Sequence, residues 1–182
     1  MDPRPDFAKI RGRETLDYAL HAIQQTQIQL SSMADTKASI MITVCSIVLT
    51  IGITHFNGPQ LRWPLAILIV SVLTSLLFAI LTVLPSFAAP RRPDGGVDVT
   101  APWFNLFFFG HFSELPRERF EKMLIEVAGD DSLIYAMLAR DIYGHGSTLA
   151  RKKYRMLRYS YLAFLTGLVA TAVVAAATTL QA

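Results

Sequence analysis

The sequence has few charged residues and almost no cysteine. Only 17% of its 182 residues are charged, against about 25% in an ordinary soluble domain, while 52% are hydrophobic. The single cysteine, Cys45, excludes a disulfide within the chain. Motifs for phosphate-binding loops, dinucleotide sites, zinc proteases and serine hydrolases are absent, and the four histidines show no zinc-ligand spacing. We therefore expect no metal, no cofactor and no catalysis.

Three long apolar stretches contain no Asp, Glu, Lys or Arg: residues 38–56, 65–84 and 159–180. Each is long enough to cross a hydrocarbon core of roughly 30 Å at about 1.5 Å per helical residue. The pattern predicts an all-α membrane protein with three transmembrane helices. The polar remainder predicts an N-terminal helix within residues 1–37 and a cytoplasmic helical segment, 90–158, between the second and third spans.

The basic residues predict how the chain crosses the membrane. Five Lys or Arg precede the first span, eleven lie between the second and third, and only Arg62 follows the first span directly. By the positive-inside rule, the N-terminus and residues 90–158 face the cytoplasm and the C-terminus faces outward. The positions of the basic residues are explained by membrane topology, and these residues do not form one patch on a soluble domain. No nucleic-acid partner is therefore expected.

The predicted N-terminal helix carries a short seam typical of a coiled coil, and no glycine or proline separates it from the first span. Two interpretations stay open: the helix packs on the chain's own cytoplasmic segment, or it mediates self-association. The seam residues, spaced by three and four, are Leu16, Leu20, Ile23, Gln27, Leu30 and Ala34.

The first span begins with charged residues and continues with hydroxyl residues. Asp35 and Lys37 are placed at the inner membrane surface, where they are candidates for a latch between helices. A stripe of small polar residues then follows one face of the span. Such a stripe either packs against another helix, which we favour, or lines water. The stripe residues are Ser39, Thr43, Ser46, Thr50 and Thr54.

The segment between the second and third spans predicts several local structures. Residues 103–112 are too few to cross a membrane and too aromatic for a free loop, so they must dock against protein or the membrane interface. A helix is expected from Pro116 to Gly129, and Asp130 is expected to cap the next one. In that next helix, residues 144–146 (Gly-His-Gly) indicate a kink or the close approach of another backbone.

A dense basic run, residues 151–155, directly precedes the third span and includes Tyr154. The simpler interpretation, which we favour, is that these cations anchor the topology and touch anionic lipid. An aromatic ring beside cations also suits a base carrying a phosphate. The two roles are compatible.

Three short motifs, in this order relative to the spans, resemble the transmembrane effectors of Pycsar antiphage systems: residues 34–38 (ADTKA), 105–111 (NLFFFGH) and 149–154 (LARKKY). The resemblance covers about residues 14–180. It implies a bacterial inner-membrane protein that responds to cyclic CMP or cyclic UMP made by a partner pyrimidine cyclase. It also implies that the response impairs the membrane and aborts infection.

No separate cyclic-nucleotide-binding β-barrel is recognisable, so a nucleotide site has to be sought in the cytoplasmic helices. A cyclic mononucleotide needs one or two cations, an aromatic or apolar slot and polar groups for the base. We expect binding to promote assembly of a homo-oligomer. The competing hypothesis is a membrane anchor or scaffold for a cytoplasmic enzyme; a membrane enzyme lacks any visible catalytic set. The nucleotide candidates are Arg151, Lys152, Lys153 and Tyr154 for phosphate and stacking, and His111 and Asn105 for base or ribose.

Overall fold

The computed structural model describes residues 14–56, 58, 61–84 and 89–180. Residues 1–13 of the predicted N-terminal segment lie outside this set. In the described residues the chain is helical, with no strand longer than the single bridge that pairs Arg91 with Val97. The helices are α1 (Glu14–Thr54), α2 (Arg62–Val83), α3 (Phe109–Phe112), α4 (Arg117–Ala128), α5 (Asp131–Thr148) and α6 (Tyr154–Leu180), with a π-helical turn at Leu149–Lys153 between α5 and α6.

Three helical stretches are long and apolar enough to cross a membrane: α1, α2 and the continuous stretch Asp131–Leu180. They contain most of each predicted span, so the prediction of an all-α membrane protein with three spans is confirmed. The predicted N-terminal helix does continue into the first span, since α1 has 41 residues. A helix of that length extends about 60 Å, twice the thickness of the hydrocarbon core.

The structure divides into two compact units, which share α1. The first unit contains residues 1–28 and 85–147, and the second contains residues 29–84 and 148–182. The second unit therefore holds the predicted spans, and the first holds most of the polar sequence.

In the second unit, α1 and α6 run parallel and α2 runs antiparallel to both. Along α1, Leu30 contacts Tyr154 and Ala38 packs with Leu157, so residue numbers rise together. Between α2 and α6 they run oppositely: Ser71 lies beside Gly167, whereas Ser75 lies beside Ser160. Two parallel helices joined by an antiparallel one are what a three-span chain requires.

Small residues allow the helices of the second unit to approach closely. The Ser75 hydroxyl donates to the carbonyl of Ser160 at 2.8 Å, and the Ser160 hydroxyl donates to the carbonyl of Ser75 at 2.9 Å. The Cys45 thiol is 3.5 Å from Ser75 Oγ, which brings α1 to the same point. A Cβ atom at Gly167 would overlap the Ser71 side chain. Small side chains of this kind are typical of helix contacts within membranes.

The first unit has its own apolar core, built around the aromatic run 103–112. Phe104 and Leu106 are 1% and 0% exposed, and they pack with Leu115 and Val127. The expected helix after Pro116 is α4, and Gly129 caps its C-terminus. Of the two expectations for the aromatic run, docking against protein is therefore observed for this part of it.

At residues 144–146, where a kink or a close approach was expected, α5 is continuous through both glycines. The irregular turn comes later, at Leu149–Lys153. Gly146 does mark a close approach, but of a side chain: Gln27 Nε2 lies 3.0 Å from where a Cβ atom would be. The Gln27 amide also donates to the carbonyl of Ile142 at 3.1 Å, so this seam residue of α1 contacts α5 of the same chain.

Candidate functional site

The predicted site residues fall into both units. The basic run 151–154 and the charged start of the first span belong to the second unit, whereas Asn105 and His111 belong to the first. Each group is therefore described by its own contacts. In the part of the chain that the structure describes, no three His, Cys, Asp or Glu side chains converge where a metal ion would bind.

Lys153 is the most strongly bonded of the predicted phosphate-binding residues. Its ammonium group donates to both carboxylate oxygens of Asp35 at 2.7 Å and to the Ser31 hydroxyl at 2.9 Å. The side chains of Lys153 and Asp35 are 24% and 38% exposed, so water screens this pair only in part. Asp35 thus connects α1 to the π turn through Lys153, while Lys37, the other residue proposed for a latch, is exposed.

Most of the basic run lies in the π-helical turn. A π turn adds one residue to a helical turn and often occurs at functional sites. Here it contains Arg151, Lys152 and Lys153 and ends at Tyr154, whose hydroxyl donates to the carbonyl of Leu30 at 3.3 Å. Arg151 is exposed and Lys152 is half-buried. Lys153 and Tyr154 therefore hold α6 against α1, while Arg151 faces outward.

Asn105 and His111 bind each other inside the first unit. The backbone N–H of Asn105 donates to His111 Nδ1 at 3.0 Å, and the ring of His111 stacks on Phe104. The Asn105 side chain accepts from the N–H of Phe107 at 2.9 Å and donates to Asp141 at 2.7 Å. Both residues are less than a tenth exposed. Their polar groups satisfy the buried backbone of the aromatic run, which would otherwise be costly to bury.

Sequence reasoning missed the partners that connect this network to the rest of the first unit. Asp141 also accepts from the Gln24 side chain at 3.0 Å, and the Tyr135 hydroxyl donates to Asp17 at 2.6 Å. These bonds join α5 to the start of α1. Polar residues of α1 and α5 that face each other could have indicated these bonds. The predicted seam was drawn mainly through apolar residues and therefore did not include them.

The hydroxyl stripe of the first span is exposed along its whole length. Its hydroxyl groups bond to their own helix: Thr43 donates to the carbonyl of Ser39 at 3.1 Å, and Thr50 donates to that of Ser46 at 2.9 Å. Thr54 donates to the carbonyl of Ile51. The residues that pack inward, Met41 and Cys45, lie on another face of α1. Within one chain, the stripe is therefore not a packing face.

Two exposed carboxylates outside the spans have lowered pKa values. The Thr100 hydroxyl donates to Asp98 at 2.6 Å and is the main cause of the low pKa of Asp98. The Ser132 hydroxyl donates to Asp130 at 2.7 Å, and this bond lowers the pKa of Asp130. Since the Ser132 N–H also donates to the same carboxylate, Asp130 caps the start of α5 as predicted. Neither group is placed for catalysis.

Comparison with known proteins gives one clear result. The family model described as "Pycsar effector protein domain" matches residues 18–180, which is most of the chain. Comparisons with curated proteins and with solved structures give no match. The matched range includes all three apolar helices and every predicted site residue. The chain therefore belongs to the Pycsar effector family, the transmembrane effectors of an antiphage defence system.

Proposed function

We propose that this effector senses cyclic CMP or cyclic UMP, made by a partner cyclase, and then impairs the integrity of the bacterial inner membrane, so that infection is aborted. In this proposal the N-terminus and residues 90–158 are cytoplasmic and the C-terminus is outside. The distribution of basic residues supports this orientation. The parallel course of α1 and α6 supports a common side for the N-terminus and residues 90–158, since parallel helices that cross a membrane enter it from the same side.

The observation that carries the proposal is the contact between Lys153 and Asp35. Both carboxylate oxygens hold one ammonium group at 2.7 Å, at the point where the π turn meets α6. The phosphate of a cyclic nucleotide is an anion with similar acceptor atoms, so it competes with Asp35 for Lys153. Binding of the phosphate then releases α6 from α1. This is the differential contact that any ligand-driven change requires.

The neighbouring candidates in the second unit complete the proposed phosphate and stacking site. Arg151 and Lys152 add positive charge beside Lys153, and the Tyr154 ring offers a stacking face. His111 and Asn105 belong to the first unit and are proposed separately for base or ribose, in a state in which their present bonds exchange for bonds to a ligand. The phosphate part of the proposal does not depend on that exchange.

Membrane damage follows, in this proposal, from assembly through the exposed stripe of α1. Hydroxyl side chains at a helix surface favour contact with a second helix in lipid, and an assembled ring of such stripes admits water and ions. Moving an equilibrium from 1:99 to 99:1 requires roughly 5.5 kcal/mol of differential binding. Several copies that each bind one nucleotide supply this more easily than one copy, which favours a homo-oligomer.

Nucleotide binding to the full-length protein in nanodiscs tests the proposal. We expect calorimetry to detect cyclic CMP or cyclic UMP and not cyclic AMP. Lys153→Gln should weaken that binding about 10- to 150-fold, because a hydrogen bond to a charged group contributes about 1.5–3 kcal/mol. Arg158→Gln is the matched control, since Arg158 is exposed, basic and on the same helix but outside the candidate set.

The same variants distinguish the effector from a scaffold. If charge removal at Arg151, Lys152 and Lys153 leaves the nucleotide response unchanged in protein that still inserts, the proposed site is wrong. If no nucleotide binds and proteoliposomes stay sealed, the hypothesis of a membrane scaffold for a cytoplasmic enzyme replaces this one.

A further inference from the structure

Part of the aromatic run 103–112 faces outward. Trp103 is 56% exposed and Phe109 is 54% exposed, whereas Phe104 between them in sequence is buried. The two exposed rings are connected through less exposed ones: Trp103 lies 5.8 Å from the ring of the buried His111, His111 lies 4.9 Å from the half-buried Phe108, and Phe108 lies 5.2 Å from Phe109. The run therefore has one side in the core of the first unit and an aromatic side exposed.

Two exposed arginines belong to the same unit as these rings. Arg91 Nη2 lies 3.4 Å from Glu114, which follows α3 closely in sequence, and Arg92 Nε lies 3.8 Å from Asp98. Both distances exceed the roughly 2.7–2.9 Å of a strong charge-assisted bond, and both guanidinium groups are well exposed. Exposed aromatic rings and exposed arginines on one unit are a combination that the headgroup region of an anionic membrane favours.

The chain itself limits how far this surface can lie from the membrane. Six residues separate Leu84, at the end of α2, from Arg91. Even fully extended, that length of chain reaches only about 25 Å. This short connection allows Arg91, where the first unit's described residues begin to carry cations, to reach the bilayer surface.

We propose that Trp103 and Phe109, with Arg91 and Arg92, insert into the headgroup region of the membrane that the protein spans. The exposed rings enter the boundary between headgroups and acyl chains, and the guanidinium groups bind anionic headgroups. The occupant of this surface is thus lipid, and not a second copy or another protein. The proposal is independent of nucleotide sensing.

The chain has only two tryptophans, which makes the test direct. Trp63→Phe leaves Trp103 as the only tryptophan and leaves the proposed surface intact. The full-length variant is placed in nanodiscs that contain anionic lipid, with and without lipid brominated in the upper acyl chain. As a matched control, Tyr18→Trp is made in a chain lacking both native tryptophans. Tyr18 is 74% exposed, and it lies 20 residues, about 30 Å of helix, before Ala38, where the first apolar stretch begins.

We expect brominated lipid to quench Trp103 emission and to leave the Tyr18→Trp emission unchanged. Arg91→Gln with Arg92→Gln should reduce the quenching of Trp103 in anionic nanodiscs. If acrylamide quenches Trp103 and brominated lipid does not, the surface is in water and the proposal is wrong. Protection from both quenchers would mean that protein covers the surface, which also overturns the proposal. Equal quenching of Trp103 and the Tyr18→Trp control overturns it as well, because the effect is then not local.

Discussion

Gly167→Ala is expected to force α2 and α6 apart. Gly167 is buried in α6, and an added Cβ atom would overlap both the Oγ and the Cβ atoms of Ser71. A serine can rotate its hydroxyl away, but its Cβ atom is fixed to the backbone, whose Cα lies only 3.6 Å from the added atom. The clash can therefore be relieved only by movement of a helix.

Two opposing effects decide how much Gly167→Ala changes the free energy of unfolding. Replacing a helical glycine by alanine stabilises the helix by about 1 kcal/mol, whereas overpacking a well-packed contact costs about 1–3 kcal/mol. We expect overpacking to win, giving a net destabilisation of up to about 2 kcal/mol. Gly144→Ala is the matched control, because nothing lies within 4 Å of its Cβ position and only the helix effect remains.

A double-mutant cycle isolates the clash. Ser71→Gly combined with Gly167→Ala removes the overlapping atoms, so the pair should show a favourable coupling of about 1–3 kcal/mol. Unfolding by denaturing detergent, followed by tryptophan emission, measures each variant. The packing account is refuted if Gly167→Ala behaves like Gly144→Ala, or if Ser71→Gly fails to rescue it.

Three further predictions follow from the contacts described above. Ser160→Ala should destabilise the second unit by about 0.6 kcal/mol for each bond lost to Ser75, measured by the same unfolding assay; an unchanged midpoint would contradict it. Asp35→Asn removes the carboxylate that competes for Lys153, so the nucleotide concentration for half-maximal response should fall about tenfold, and a rise would contradict the competition. The pKa of Asp130 is lowered in the folded state from its ordinary value of 3.8. The charged cap therefore stabilises α5 fully at pH values above 3.8, and this stabilisation is lost as the pH falls through the lowered pKa. Amide exchange in the first turn of α5 should therefore speed up in acid, and Asp130→Asn, which caps without charge, should remove that pH dependence.

The spans could be predicted because the membrane imposes a simple rule. A helix that crosses hydrocarbon needs about 20 residues without charge, and the sequence contains three such stretches. The caps at Asp130 and Gly129 were also predictable, since each depends on local backbone chemistry. The continuity of α1 followed from the absence of glycine and proline between Glu14 and Ile51.

The contacts of the site residues were not predictable, because they depend on which helices meet. Lys153 and Asp35 are 118 residues apart, and no local pattern connects them. The bonds of Asn105 and His111 to the buried backbone of the aromatic run likewise depend on how that run folds, which residue type and spacing do not give. The π turn at Leu149–Lys153 was not predicted, because it contains neither glycine nor proline, the usual signals of an irregular helix.

Membrane potential is the measurement that tests the central claim most directly. Cells that express this protein alone are loaded with a voltage-sensitive dye and supplied with cyclic CMP, cyclic UMP or cyclic AMP. The account predicts depolarisation with a pyrimidine nucleotide, none with cyclic AMP, and loss of the response in Lys153→Gln but not in Arg158→Gln. A membrane that stays polarised with both pyrimidine nucleotides, while the protein is present in it, would contradict the account and favour the scaffold.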